Sequence, residues 1–132
     1  MNGVALSEYI RKAVPGLIAL YRFGSQAKGT ARPDSDVDLA ILSREPIPNL
    51  RRFELAQELA TQLHRDVDLV DLRTASTVMR MQVISSGECL FKVSDRLQGE
   101  FEDLVYSTYA RLNEERREIL NDVHTRGSVY AR

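Results

Sequence analysis

Two apolar runs separated by a polar turn set the frame of this chain. Leu17 to Phe23 is apolar throughout except for Arg22. Asp36-Val37-Asp38-Leu39-Ala40-Ile41-Leu42 alternates at first and then becomes wholly apolar. Apolar runs of this length, bounded by turn residues, read as buried strands, the second one central in a sheet. Gly24-Ser25 ends the first run sharply. Gln26 to Lys28 can form one helical turn, which Gly29 ends, and Thr30 to Ser35 is turn-forming in type. A chain with two such strands must fold around a sheet.

The surrounding periodicity is helical. Leu6, Ile10 and Val14 recur at helical spacing until Pro15-Gly16 stops them. Ser43 to Pro48 holds two prolines and is a loop. Leu50, Phe53, Leu55, Ala56, Leu59, Ala60 and Leu63 form a second helical stripe, and Asp66 to Leu72 is a third strand. Thr74 to Ile84 reads as a helix with Val78, Met79, Gln82 and Val83 on its surface, ended by Ser85-Ser86-Gly87. Glu88 to Val93 is a short strand. Leu97, Phe101, Leu104, Val105, Tyr109, Leu112, Ile119, Leu120 and Val123 fit one long helix over about 95–124, with Ser94 as N-cap and a frayed end from Thr125. Strands with interleaved helices predict an α/β or α+β domain, a small sheet flanked by helices.

Composition narrows the class. A length of 132 residues fits one domain spanning 1–132. The 18 basic and 19 acidic residues leave a net charge of −1, so no global basic field points to direct nucleic-acid or membrane binding. The single cysteine, Cys89, permits neither an internal disulfide nor a cysteine metal cluster, which fits a reducing cytoplasm. No apolar run approaches the ~20 residues needed to span a bilayer. The first residues lack the basic-then-apolar order of a signal peptide.

The chemistry concentrates between the first two strands. Strand alternation puts Asp36, Asp38 and Ala40 on one face and Val37, Leu39 and Ile41 on the core face. Two carboxylates about 7 Å apart repel each other, and a divalent cation relieves that repulsion. Magnesium takes oxygen ligands, commonly one or two carboxylates plus substrate phosphates. Gly24-Ser25 supplies the other half: a strand that stops and enters a helical turn exposes backbone N–H groups to phosphate. Glycine permits close approach, and the serine hydroxyl can donate. A phosphate cradle beside a metal-binding pair is what phosphoryl or nucleotidyl transfer needs.

Simpler readings compete with each element. A lone Asp-x-Asp is usually a solvated strand start, and a lone Gly-Ser is usually a turn. Lys28 suits a phosphate contact or plain solvation equally. Arg22 reads as an edge residue or a phosphate ligand, Asp34 as a turn residue, His64 as a helix C-terminal residue and Cys89 as a buried small hydrophobe. His124 has no evident chemical role. Asn113 to Glu118 is a solvated helix face.

Gly24-Ser25, ten residues, then Asp36-Val37-Asp38 resembles the signature of the polymerase-β-type nucleotidyltransferase superfamily. The small size, the text from Val67 to Val78 and the helical tail resemble its minimal nucleotidyltransferase (MNT) branch, found in HEPN/MNT toxin–antitoxin modules. The resemblance implies a polymerase-β-like fold, ATP as substrate and two magnesium ions. It also implies transfer of AMP to a tyrosine of a cognate HEPN ribonuclease toxin. Gly24, Ser25 and Lys28 would then hold the nucleotide, and Asp36 and Asp38 the metals. The superfamily adds a third carboxylate on a neighbouring strand. Parity leaves Asp66 and Asp68 on the open face and Asp71 on the other, and alignment with the family selects Asp68 as metal ligand and helper in deprotonation. Two alternatives are stoichiometric toxin binding through the C-terminal helix and transfer to a small-molecule hydroxyl such as an aminoglycoside. That helix is either covered by its own sheet or open to a partner.

Overall fold

The protein is described by a computed structural model covering residues 2–24 and 36–130, with side chains to residue 124. Its elements are α1 (Gly3–Ala13), β1 (Leu17–Phe23), β2 (Val37–Ser43), α2 (Asn49–Leu63), β3 (Val67–Asp71), α3 (Thr77–Ser86), β4 (Glu88–Lys92) and α4 (Asp95–Tyr130). The turn expected at Gln26–Lys28 lies outside the described residues.

The four strands form one mixed sheet in the order β3-β2-β1-β4. β1 runs antiparallel to both β2 and β4, whereas β2 and β3 are parallel. A parallel neighbour requires a crossover, and α2 supplies it. Each face of the sheet has its own core. Leu20, Leu39, Ile41 and Leu69 meet Leu6 and Ile10 of α1 and Leu55 and Leu59 of α2. On the other face, Ala19, Tyr21, Ala40 and Leu42 meet Val83 of α3 and Phe101 and Val105 of α4.

Helix ends follow side-chain chemistry. Asn2 caps α1 by accepting from the Ala5 N–H at 2.9 Å. The Ser76 hydroxyl accepts from the Met79 N–H at 3.1 Å, so α3 starts at Thr77 rather than Thr74. Thr74 and Ala75 instead donate their N–H groups to the Asp71 carbonyl in a turn. Ser94 accepts from the Leu97 N–H at 3.1 Å and opens α4, as expected. His64 closes α2 in the left-handed conformation (φ 55°).

Several expectations need correction. Val83 is not on the surface of its helix but fully buried, because α3 packs on the sheet beside the first turns of α4. Cys89 is exposed rather than buried, because β4 is an edge strand. Leu50 and Phe53 do not join the buried stripe of α2; they are 69% and 62% exposed. Leu50 lies about 140° round the helix from Leu55 at 3.6 residues per turn, so it points away from the core. α4 continues to Tyr130 rather than fraying from Thr125. Its first turns bury Phe101 and Val105, while Ile119, Leu120 and Val123 are all exposed. The Tyr21 hydroxyl, buried in the sheet, donates to Glu102 at 2.7 Å and ties α4 down. Burial pushes the Tyr21 phenol far above its ordinary pKa.

Asp71 is a structural carboxylate. It is 3% exposed, and it accepts the Ile47 N–H at 2.8 Å and the Arg73 N–H at 2.9 Å. Asp71→Ala should therefore orphan two donors and cost about 2–3 kcal/mol, measured by urea unfolding.

Candidate active site

The site forms where β1 ends and β2 and β3 begin. Opposite strand directions bring the C-terminal end of β1 beside the N-terminal end of β2, and Phe23 pairs directly with Asp38. The parallel register of β2 and β3 pairs Asp38 with Asp68. Paired residues on adjacent strands point to the same face, so these two carboxylates stand side by side, with Cα atoms about 4.8 Å apart. Asp36 precedes β2 by one residue and shares the parity of Asp38.

This face is not open along its length. Two residues further along β2, Ala40 is buried under α3 and α4, and Val70 of β3 packs against the same core. Only the strand ends, with Asp36 and Asp68 exposed and Asp38 half-buried, reach solvent. A polar site at the mouth of an apolar layer follows directly from that taper.

Gly24 completes the described part of the site. It adopts φ +70°, a region that side-chain-bearing residues rarely enter. A Cβ placed there would sit 2.2 Å from Asp38 Oδ2. The Asp38 carboxylate thus leans over bare backbone, and glycine at 24 is what lets it do so.

Electrostatics mark the same cluster. The Asp38 carboxyl is held above its ordinary pKa, first by burial and then by the charges of Asp68 and Asp36. This is the mutual repulsion that a cation removes. The donors are all carboxylate oxygens, which suits magnesium. Among the described residues no three acidic, imidazole or thiol side chains already close into a metal cage. Magnesium does not need one, because substrate phosphates and water commonly complete its shell.

The other candidates divide clearly. Asp66 is exposed at the turn before β3, and its carbonyl accepts the Val37 N–H at 2.9 Å. Asp71 lies inside the fold with its carboxylate engaged. Arg22 pairs with Leu39, on the opposite sheet face from Asp38, and bonds Glu88 at 2.7 Å, so it does not reach the carboxylates. Ser25, Lys28 and Asp34 lie outside the described residues. The sequence reading missed the direct stacking of Gly24 on Asp38, which only the pairing of β1 with β2 reveals.

Known proteins share this architecture. Residues 5–96 match the family described as Polymerase beta, Nucleotidyltransferase. Protein adenylyltransferase MntA of Shewanella oneidensis is 41% identical over 125 residues, covering 93% of this chain and 88% of the relative. A crystal structure of a toxin–antitoxin with AMP-PNP superposes with a TM-score of 0.85 at 40% identity, covering 94% of this chain and 99% of the matched one. A structure of tri-AMPylated Shewanella oneidensis HEPN toxin in complex with MNT antitoxin gives 0.77 at 37% identity, covering 92% and 95%.

Two outcomes test the geometry. Gly24→Ala should weaken Mg-ATP binding at least tenfold in calorimetry, since the methyl group would displace Asp38. Asp38 has a raised folded-state pKa, so its contribution to stability is present at low pH and lost as pH rises through its carboxyl titration. Asp38→Asn should therefore raise the melting temperature in EDTA at pH 7, and the gain should shrink in acid.

Proposed function

The chain belongs to the polymerase-β nucleotidyltransferase family, and on that premise we propose that it transfers AMP from ATP to a tyrosine of a HEPN-type toxin and so silences it. Nucleotidyltransferases of this family generally use ATP and a divalent metal. The observation that carries the reading is Asp38 standing between Gly24, just past the end of β1, and Asp68 of β3, with Asp36 sharing its parity.

In the proposed reaction Gly24 and Ser25 would cradle the triphosphate, and Lys28 would supply a further phosphate contact. Asp36 and Asp38 would hold two magnesium ions, and Asp68 would complete the set. Bound there, the ions neutralise phosphate charge and favour an in-line geometry. Asp68, exposed at the edge strand, accepts the proton of the tyrosine hydroxyl. The phenolate oxygen bonds to the α-phosphorus as the bond to the bridging oxygen breaks. Pyrophosphate leaves and tyrosyl-AMP remains. The added nucleotide brings bulk and negative charge to the toxin. The described residues hold no helix long and apolar enough to cross a membrane, and a cytoplasmic setting suits ATP chemistry.

A second contribution is direct binding. Ile119, Leu120 and Val123 lie exposed on the far part of α4, where the sheet no longer covers the helix. Such a face suits a helical partner, and a stable complex would add to neutralisation. Similarity to Protein adenylyltransferase MntA of Shewanella oneidensis supports a protein acceptor over an aminoglycoside.

Intact-mass analysis of the toxin after incubation with this protein, ATP and magnesium should show added multiples of AMP. Asp36→Asn combined with Asp38→Asn should abolish the shift, and Asp68→Asn should slow it by about 10²–10⁴-fold. A toxin that is inactive yet unmodified would favour binding alone.

A further inference from the structure

The phosphate cradle depends on where β1 ends. Gly24 follows the last residue of that strand, and its bare backbone lies against the Asp38 carboxylate. An extended chain has little slack, so a shift of Arg22 or Phe23 is carried directly into that contact.

Two neighbours hold this end of the strand. On one side Phe23 pairs with Asp38 of β2. On the other, Arg22 pairs with Glu88, the first residue of β4. An irregularity creates the second pairing. The register of β1 against β4 shifts by one residue between Leu20 and Tyr21, which leaves Leu90 as the extra residue between Cys89 and Phe91. Without that shift Glu88 would stand opposite Phe23. With it, Glu88 stands opposite Arg22 on the same sheet face, and its Oε2 accepts from Arg22 Nη2 at 2.7 Å. Bulges that re-aim a side chain in this way are over-represented beside active sites.

The corner before β4 is packed as closely. A Cβ on Gly87 would clash with the Val83 carbonyl. It would also come within 3.1 Å of the Arg22 carbonyl and 3.4 Å of Phe23 Cβ. The backbone at the end of α3 thus rests directly on the last two residues of β1.

Stability alone does not account for the ion pair. The Arg22 and Glu88 side chains are 31% and 51% exposed, and pairs this open to water add little to folding. Arg22 Nε is moreover buried with no hydrogen-bond partner among the described residues, an unfavourable state for a guanidinium. What the pair does fix is the end of β1 against β4, two residues before Gly24.

We propose that Arg22 and Glu88 are positioning residues for the nucleoside triphosphate. Their ion pair, together with the Gly87 corner, holds the end of β1 so that Gly24 meets the phosphates with Asp38 beside it. This rests on the nucleotide cradle proposed above and adds what sets its geometry. Both side chains act through the backbone, since Arg22 projects from the sheet face opposite Asp38.

The test is calorimetric binding of Mg-ATP to the full chain. Arg22→Gln and Glu88→Gln should each weaken binding about tenfold, because small misplacements of a binding group are costly. Their melting temperatures should change little. The exchanged pair, Arg22→Glu with Glu88→Arg, should recover most of the loss, because it rebuilds the ion pair with reversed polarity. Arg96→Gln, which breaks the exposed Arg96–Glu100 pair on α4, should leave both readouts unchanged. If Arg22 were a direct phosphate ligand, Glu88→Gln would keep or raise affinity, and the exchanged pair would stay as weak as Arg22→Gln. That pattern overturns the proposal. So does unchanged Mg-ATP affinity in both single variants, whatever their melting temperatures. A wild type that binds Mg-ATP but labels no toxin overturns the transfer reaction and leaves the positioning role standing. A wild type that binds no Mg-ATP overturns both.

Discussion

Strand β2 is hydrogen-bonded on both sides, antiparallel to β1 and parallel to β3. That double pairing holds Asp38 opposite Phe23 on one side and opposite Asp68 on the other. Side chains alternate along a strand, so a slip of one residue would turn Asp38 into the apolar core and push Leu39 into solvent. The buried set on the far face, Leu39 and Ile41 against α1 and α2, makes such a slip costly. Core packing on one face thereby fixes the carboxylates on the other.

The site is placed where the fold can tolerate it. Three acidic side chains in a fully covered layer would demand large desolvation. At the strand ends they keep contact with water, and only Asp38 is partly withdrawn. Burial and two like charges still raise its pKa. The protein thus carries local electrostatic strain at the point where a cation and a triphosphate relieve it. Gly24 belongs to the same compromise, since its open φ and missing side chain make the room that Asp38 uses.

The helices divide into those that close the sheet and those that reach beyond it. α1 and α2 cover one face; α3 and the first turns of α4 cover the other. What remains uncovered is not random. Phe53 flanks the β3 edge beside Asp68, and the distal apolar residues of α4 extend past the sheet. Both exposures lie on surfaces a macromolecular partner can reach.

Much of this was legible in the residues alone. Gly24-Ser25 and Asp36-Val37-Asp38 announce their chemistry by type and spacing, and the apolar periods locate all four strands and the four described helices. Parity excluded Asp71 from the carboxylate face, yet could not choose between Asp66 and Asp68, because alternate residues share a face. Pairing across strands is a long-range property, and the parallel register alone sets Asp68 beside Asp38. Strand order, likewise absent from local pattern, made β4 an edge and left Cys89 exposed. The apolar stripe read along α2 grouped Leu50 and Phe53 with the core, whereas both are exposed, Leu50 lying about 140° round the helix from the buried Leu55. Sequence determined which groups could hold a metal and a nucleotide, because chemistry resides in side chains and their local spacing. Tertiary structure decided which of them meet, because that depends on register and burial between segments far apart in the chain.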